Sequence, residues 1–156
     1  MIKLSWTFKD YPITQPFGRT SFSVNNPNIY RGMLGHNGID FGMPEGTPIR
    51  ACHDGVVVRD VDNDNSGAGI YVCIWDTEQH IATYYLHMIR NIVGLGRLIK
   101  KGEIIGYVGS TGIGTGAHLH FGIVETDMRG YRVNRGNGYN GYINPLSEDI
   151  VWEDKD

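Results

Sequence analysis

The stretch GTGAHLHFG, running from Gly114 to Gly122, sets His118 and His120 one residue apart in a chain with only six histidines. Two imidazoles aimed at one point can bind a metal, shuttle a proton, or divide those tasks. Leu119, Phe121, Ile123 and Val124 give this region the pattern of a strand, on which alternate side chains share a face. His118 and His120 then project together, roughly 6.5–7 Å apart at Cβ, while Leu119 turns the other way, toward a core. A second place is GHNGID, where His36 and Asp40 stand four apart. Gly35, Gly38 and Gly42 make a helix unfavourable there, and on an extended chain the even spacing again points both side chains one way. Imidazole plus carboxylate is a reasonable zinc pair. The third place is TYYLHM. Alternation puts Thr83, Tyr85 and His87 on one face, so His87 is in phase with polar neighbours, and Tyr84 and Leu86 on the other.

If His36, Asp40, His118 and His120 all bound one zinc ion, the site would be closed and structural; with three ligands a water can fill the fourth position. Spacing leaves that choice open. Hydrolysis needs an open metal, a base for the attacking water and a donor for the developing oxyanion. With His87 there are five candidates, which divide into three ligands and two helpers, and that division favours catalysis. His53, beside Asp54 at an expected turn, and His80, at the hairpin tip DTEQH, read as surface residues. DVDNDNSG, Asp60 to Gly67, superficially resembles a calcium loop, but the twelfth positions from Asp60 and Asp62 are Tyr71 and Cys73 rather than Glu. It reads as a hairpin turn near Asn65.

The elements that must position these groups are short β-branched and aromatic runs punctuated by glycine. Expected strands are Ile39–Gly42, Pro48–Ala51, Val56–Val61, Ile70–Trp75, Ile81–Met88, Ile104–Val108 and Leu119–Val124. No segment sustains a helical period, so helices are expected to be few and short. The fold class is therefore all-β, an antiparallel and partly curled sheet core. Two long polar connections, Ser21–Leu34 and Glu125–Tyr142, are expected to wall a binding cleft. Within the second, Tyr131, Tyr139 and Tyr142 can stack on a ligand, and Arg129, Arg132 and Arg135 can meet carboxylates. Cys52 and Cys73 are expected to stay unpaired as small buried hydrophobes.

At 156 residues the chain is expected to form a single domain, residues 1–156. A net charge of −3 without a basic run excludes nucleic acid as the expected partner. No apolar stretch is long enough to span a membrane, and the first residues, MIKLSWTFKDYPITQPFG, lack the apolar core of a signal peptide.

ITQPFGRT, GHNGIDFGMPEGTPIRACHDGVVV, YYLHM and KKGEIIGYVGSTGIGTGAHLHFGI, in this order between Ile13 and Pro145, resemble the lysostaphin-type (LytM-like) zinc endopeptidases that cut peptidoglycan peptides. The resemblance implies an antiparallel β core with a zinc groove bordered by loops. It assigns the metal to His36, Asp40 and His120, and the base and oxyanion-stabilising roles to His118 and His87. It implies hydrolysis of stem peptides or crossbridges of peptidoglycan by a monomer, with activity falling below about pH 6–6.5 as the imidazoles protonate. The missing signal peptide suggests a phage lysin, virion-associated or released by lysis, or a domain trimmed from an exported protein. The alternative is a non-catalytic LytM-like module that activates another wall hydrolase. Such modules typically lose zinc ligands, whereas all five candidate residues are present here.

Overall fold

Large apolar side chains recurring at short spacing draw the longer ordered segments into strands. In the computed structural model, which describes residues 1–62, 67–112 and 116–153, these strands share one main core. In chain order the first strands are β1 (Ile2–Ser5), β2 (Ile13–Gln15), β3 (Ile39–Phe41), β4 (Pro48–Arg50), β5 (Gly55–Val61) and β6 (Ile70–Asp76). They are followed by β7 (Ile81–Asn91), β8 (Leu98–Ile99), β9 (Ile104–Val108), β10 (Leu119–Glu125), β11 (Tyr142–Ile143) and β12 (Ile150–Glu153). All seven expected strands are present. The additional ones are edge or terminal segments of two to four residues, too short to show a period. Helix is confined, among the described residues, to α1 (Ser21–Asn25) and a 3₁₀ turn at Pro27–Tyr30. A reciprocal capping box between Thr20 and Ser23 starts α1.

The main sheet runs β2-β3-β10-β7-β6-β5-β8, with β11 on β10, and β9 joining β7 to β4. Every ladder in it is antiparallel, as the sequence implies. β1 and β12 pair in parallel outside it. Leu119, Phe121 and Ile123 of β10 face the core together with Tyr85, Phe41 and Phe8. Phe121 lies 5.4 Å from Tyr85 and 5.5 Å from Phe8 between ring centroids. The opposite face of β10 carries His120, Gly122 and Val124, the last in a smaller cluster with Cys73 and Ala82. That face supports the site.

Both cysteines are free and buried, and burial pushes each thiol up to about 12. The β5–β6 pairing is as expected, while the turn near Asn65 lies outside the described residues. His80 is exposed in the β6–β7 turn, as expected. His53 corrects the sequence reading. It is buried, with Nδ1–H donating to the Asp54 carbonyl at 2.8 Å and Nε2 2.8 Å from Thr83 Oγ1. Its neighbour Asp54 is exposed, and sequence adjacency gave no sign that the imidazole turns inward to meet a hydroxyl thirty residues away.

Candidate metal centre

Backbone register builds the centre. Asp40, the middle residue of β3, lies opposite His120 of β10, and both project from the face away from the core. His36 precedes β3 and is held by a two-bond bridge to Gly18, with N–H donated each way at 2.7 and 2.9 Å. His36 Nε2, Asp40 Oδ1 and His120 Nδ1 converge, separated by 3.2, 3.0 and 3.1 Å. His36 Nδ1–H donates to the Pro16 carbonyl at 2.9 Å, which leaves the Nε2 lone pair pointing at its two neighbours.

Three electron-rich atoms this close suit a shared cation. Tetrahedral zinc with bonds of about 2.0–2.1 Å separates its ligands by about 3.3–3.4 Å, so the donor set fits zinc in type and spacing. His120 Nε2, on the other side of its ring, is buried and has no hydrogen-bond partner among the described residues. It is crowded there by Gly38, where a Cβ would lie 2.7 Å from Nε2 and 2.3 Å from the Phe121 carbonyl oxygen. Gly38 is thus required by close approach rather than by a turn. Burial opposes charge on Asp40, but the adjoining His120 and His36 imidazoles outweigh it and hold the carboxyl well below the usual carboxylate range. Burial lowers His120, against the pull of Asp40.

Two further imidazoles stand beside this triad. The ring of His118 lies 4.7 Å from that of His87, and His87 lies 6.1 Å from His120, between centroids. His118 Nε2 is 3.9 Å from Asp40 Oδ2. Both rings are anchored in the same way. His118 Nδ1–H donates to the Gly116 carbonyl at 2.8 Å, and His87 Nδ1–H to the Thr111 carbonyl at 2.7 Å. Each therefore keeps Nε2 as its available nitrogen, and both rings line the site's cavity. Burial, then the neighbouring His120 and His118, lowers His87 to about 4 against the Thr111 hydrogen bond. That lies below the range expected of an ordinary imidazole.

His87 reaches the site by a route that alternation does not predict. Thr83 and Tyr85 do not form a polar face; both are fully buried, and Tyr85 belongs to the core. In strict alternation His87 would follow them inward. Instead β7 carries an extra residue against β6 between the Tyr85–Val72 and Met88–Ile70 pairs, and His87 adopts φ +64°. This bulge turns the imidazole to the face that bears His120.

The two long connections border the site as expected. A cavity of about 290 Å³ is lined by His36, Asp40, His87, His118 and His120, by Phe22 and Tyr30 from the first connection, and by Arg132 and Tyr142 from the second. Tyr139 instead stacks on Phe17, and Tyr131 is largely exposed. The carbonyls of Pro16, Thr111 and Gly116, which fix three imidazole tautomers, carry no signal in the sequence because any residue supplies a carbonyl.

Three converging ligand atoms on a β face, with two more imidazoles presenting free nitrogens, define a metallohydrolase type of site. The comparisons narrow this class. The family described as peptidase family M23 matches residues 34–136, and the chain belongs to it. The chain is 36% identical over 137 residues to the peptidoglycan DD-endopeptidase ShyA of Vibrio cholerae, covering 84% of this chain and 30% of that protein. It is 34% identical to the glycyl-glycine endopeptidase ALE-1 of Staphylococcus capitis, covering 75% of this chain and 30% of that one. The catalytic domain of the antimicrobial peptidase lysostaphin from Staphylococcus simulans superimposes with a TM-score of 0.72 at 26% identity, over 89% of this chain and 92% of that domain. The catalytic domain of the prophage-encoded M23 protein EnpA of Enterococcus faecalis, as a point mutant, gives a TM-score of 0.66 at 27% identity, over 88% of this chain and 91% of that domain. The chain spans under a third of the length of the curated relatives it matches. Among the described residues no helix is long and apolar enough to cross a membrane.

Proposed function

We propose that this chain is a zinc-dependent endopeptidase that hydrolyses peptide bonds in peptidoglycan. The observation that carries the reading is the convergence of His36, Asp40 and His120 within 3.2 Å beside two histidines whose Nδ1–H groups are committed to backbone carbonyls. Those three residues are the ligands. Zinc bound there polarises the scissile carbonyl and lowers the pKa of a bound water to about 7.

The rest falls to His87 and His118. Each Nδ1–H is committed to a backbone carbonyl, so only Nε2 faces the reacting groups. One neutral Nε2 accepts the proton of the attacking water. The other donates to the oxygen that gains charge, which requires that nitrogen to be protonated. The pair must therefore hold one proton beyond the two on Nδ1. Depletion of that proton at high pH and its excess at low pH both stop the reaction.

A non-catalytic activator would have no use for this arrangement, and the intact ligand set and both helper imidazoles count against that alternative. The finer reading, a phage lysin, is supported by the likeness to the prophage-encoded protein EnpA. The test is digestion of purified sacculi by the zinc-loaded chain, with mass spectrometry of the released fragments. New amine and carboxyl ends at peptide bonds, abolished by a chelator and restored by zinc, are expected. Intact sacculi in the presence of stoichiometric zinc would overturn the reading, and stimulation of a second hydrolase by the metal-free chain would establish the alternative.

A further inference from the structure

A cation lines the cavity without a part in the chemistry above. Arg132 is half-buried, and its guanidinium donates to the Asn140 carbonyl at 3.0 Å, Tyr84 OH at 2.9 Å and Tyr142 OH at 3.5 Å. Its Cζ lies 4.7 Å from the centre of the Tyr142 ring and 5.5 Å from that of Tyr84. Among the described residues no carboxylate forms an ion pair with it. Its partners are neutral, and these bonds leave part of the five-donor edge unspent. A guanidinium drawn partly out of water keeps its charge and favours a carboxylate that can meet it with two parallel hydrogen bonds.

The connection that carries Arg132 is pre-formed. Asp127 Oδ1 accepts the N–H groups of Arg129 and Tyr131, the Val133 N–H donates to the Glu125 carbonyl, and Asn137 Oδ1 accepts the N–H groups of Tyr139 and Gly141. Little ordering is left for a ligand to impose. The position is also informative. Tyr84 lies opposite Gly122 in the β7–β10 ladder, and the Tyr142 ring rests on Gly122, where a Cβ would stand 3.0 Å from its Cε1. Gly122 and His120 are successive residues on one face of β10, roughly 7 Å apart. Arg132 lines the same cavity as the three candidate ligands, on the side of β10 that lies beyond Gly122.

We infer that Arg132 determines specificity by receiving a free carboxylate of the crosslinked peptide in the cavity that holds the cleaved amide. The site then favours crosslinks that carry a negative charge over uncharged glycine bridges. This rests on the endopeptidase reading and adds the substrate class to it. The carboxylate can come from a diamino acid at the crosslink or from the end of the peptide.

The test measures binding, so that it stands apart from hydrolysis. The zinc-loaded full chain is titrated calorimetrically with an uncleavable crosslink mimic, a ketomethylene replacing the scissile amide. The mimic is made with both carboxylates free, with the diamino-acid carboxylate amidated, and with the terminal carboxylate amidated. One amidation should weaken binding about 10- to 100-fold in the wild type, and the one that does so names the source. Arg132→Gln should abolish the difference and Arg132→Lys restore part of it, at unchanged unfolding temperature. Equal binding of all three forms by the wild type would overturn the inference, as would an Arg132→Gln variant that weakens all three alike. Failure to digest sacculi, by contrast, would sink the endopeptidase reading.

Discussion

Asp40 and His120 face each other across the β3–β10 ladder, with Oδ1 3.0 Å from Nδ1. Two of the three candidate ligands are thereby set by strand register rather than by a loop. A ligand pair fixed in this way is in place before the cation arrives, so binding costs little reorganisation.

The first prediction concerns that cation. The chain should take up one equivalent of zinc, and at free zinc 100-fold above Kd the fold should gain about 2.7 kcal/mol. Asp40→Ala and His120→Ala should abolish the zinc-dependent rise in unfolding temperature. Metal analysis alongside scanning calorimetry checks this, and an undiminished rise in either variant would remove that residue from the ligand set.

His87→Gln and His118→Gln should each lower kcat by about 100- to 10,000-fold while zinc content stays at that of the wild type. Because the two act on one proton inventory, the double variant should fall little below the worse single one. Simple multiplication of the two losses would mean that they work independently.

The left-handed backbone of His87 gives a third test. At φ +64° a side chain is strained and glycine is not. His87→Gly should therefore be more stable than His87→Ala by about 1 kcal/mol, although both are inactive. Urea unfolding of the two variants decides it; equal stability would mean that the bulge is not strained.

His53 supplies a pH dependence. Burial lowers its pKa below 6.5, with the Asp54 carbonyl and the charge of Asp76 opposing. The unfolded chain then binds more protons than the folded one below pH 6.5. The contribution is complete above pH 6.5 and declines as the pH falls toward the depressed folded value, by up to about 1.4 kcal/mol per pH unit. Denaturant midpoints from pH 7.5 to 5 should fall less steeply for His53→Gln than for the wild type. Parallel curves would show that His53 does not titrate differently on folding.

Most of the sheet was legible because its strands are long enough to show alternation, and β10 was the clearest, with Leu119 and Phe121 inward and His120 outward. The candidate ligands were legible only in part: even spacing paired His36 with Asp40 and His118 with His120, while the choice of His36, Asp40 and His120 came from the resemblance. The route of His87 to the site was not, because a bulge depends on the pairing of β7 with β6, which lies outside any local pattern. His53 was misread because its burial is decided by Thr83, a contact between distant segments. Arg132 was visible among three arginines of one loop, but only the packing of Tyr84 and Tyr142 separates it from Arg129 and Arg135.

The carbonyls that orient His87 and His118 belong to Thr111 and Gly116, on the one connection from β9 to β10. The two imidazoles proposed as proton acceptor and charge stabiliser thus share a tether. An alteration that shifts this tether disables both partners together and leaves the grip on the cation intact. On the proposed reading, drift in that segment would silence turnover in a molecule that still loads its metal in full.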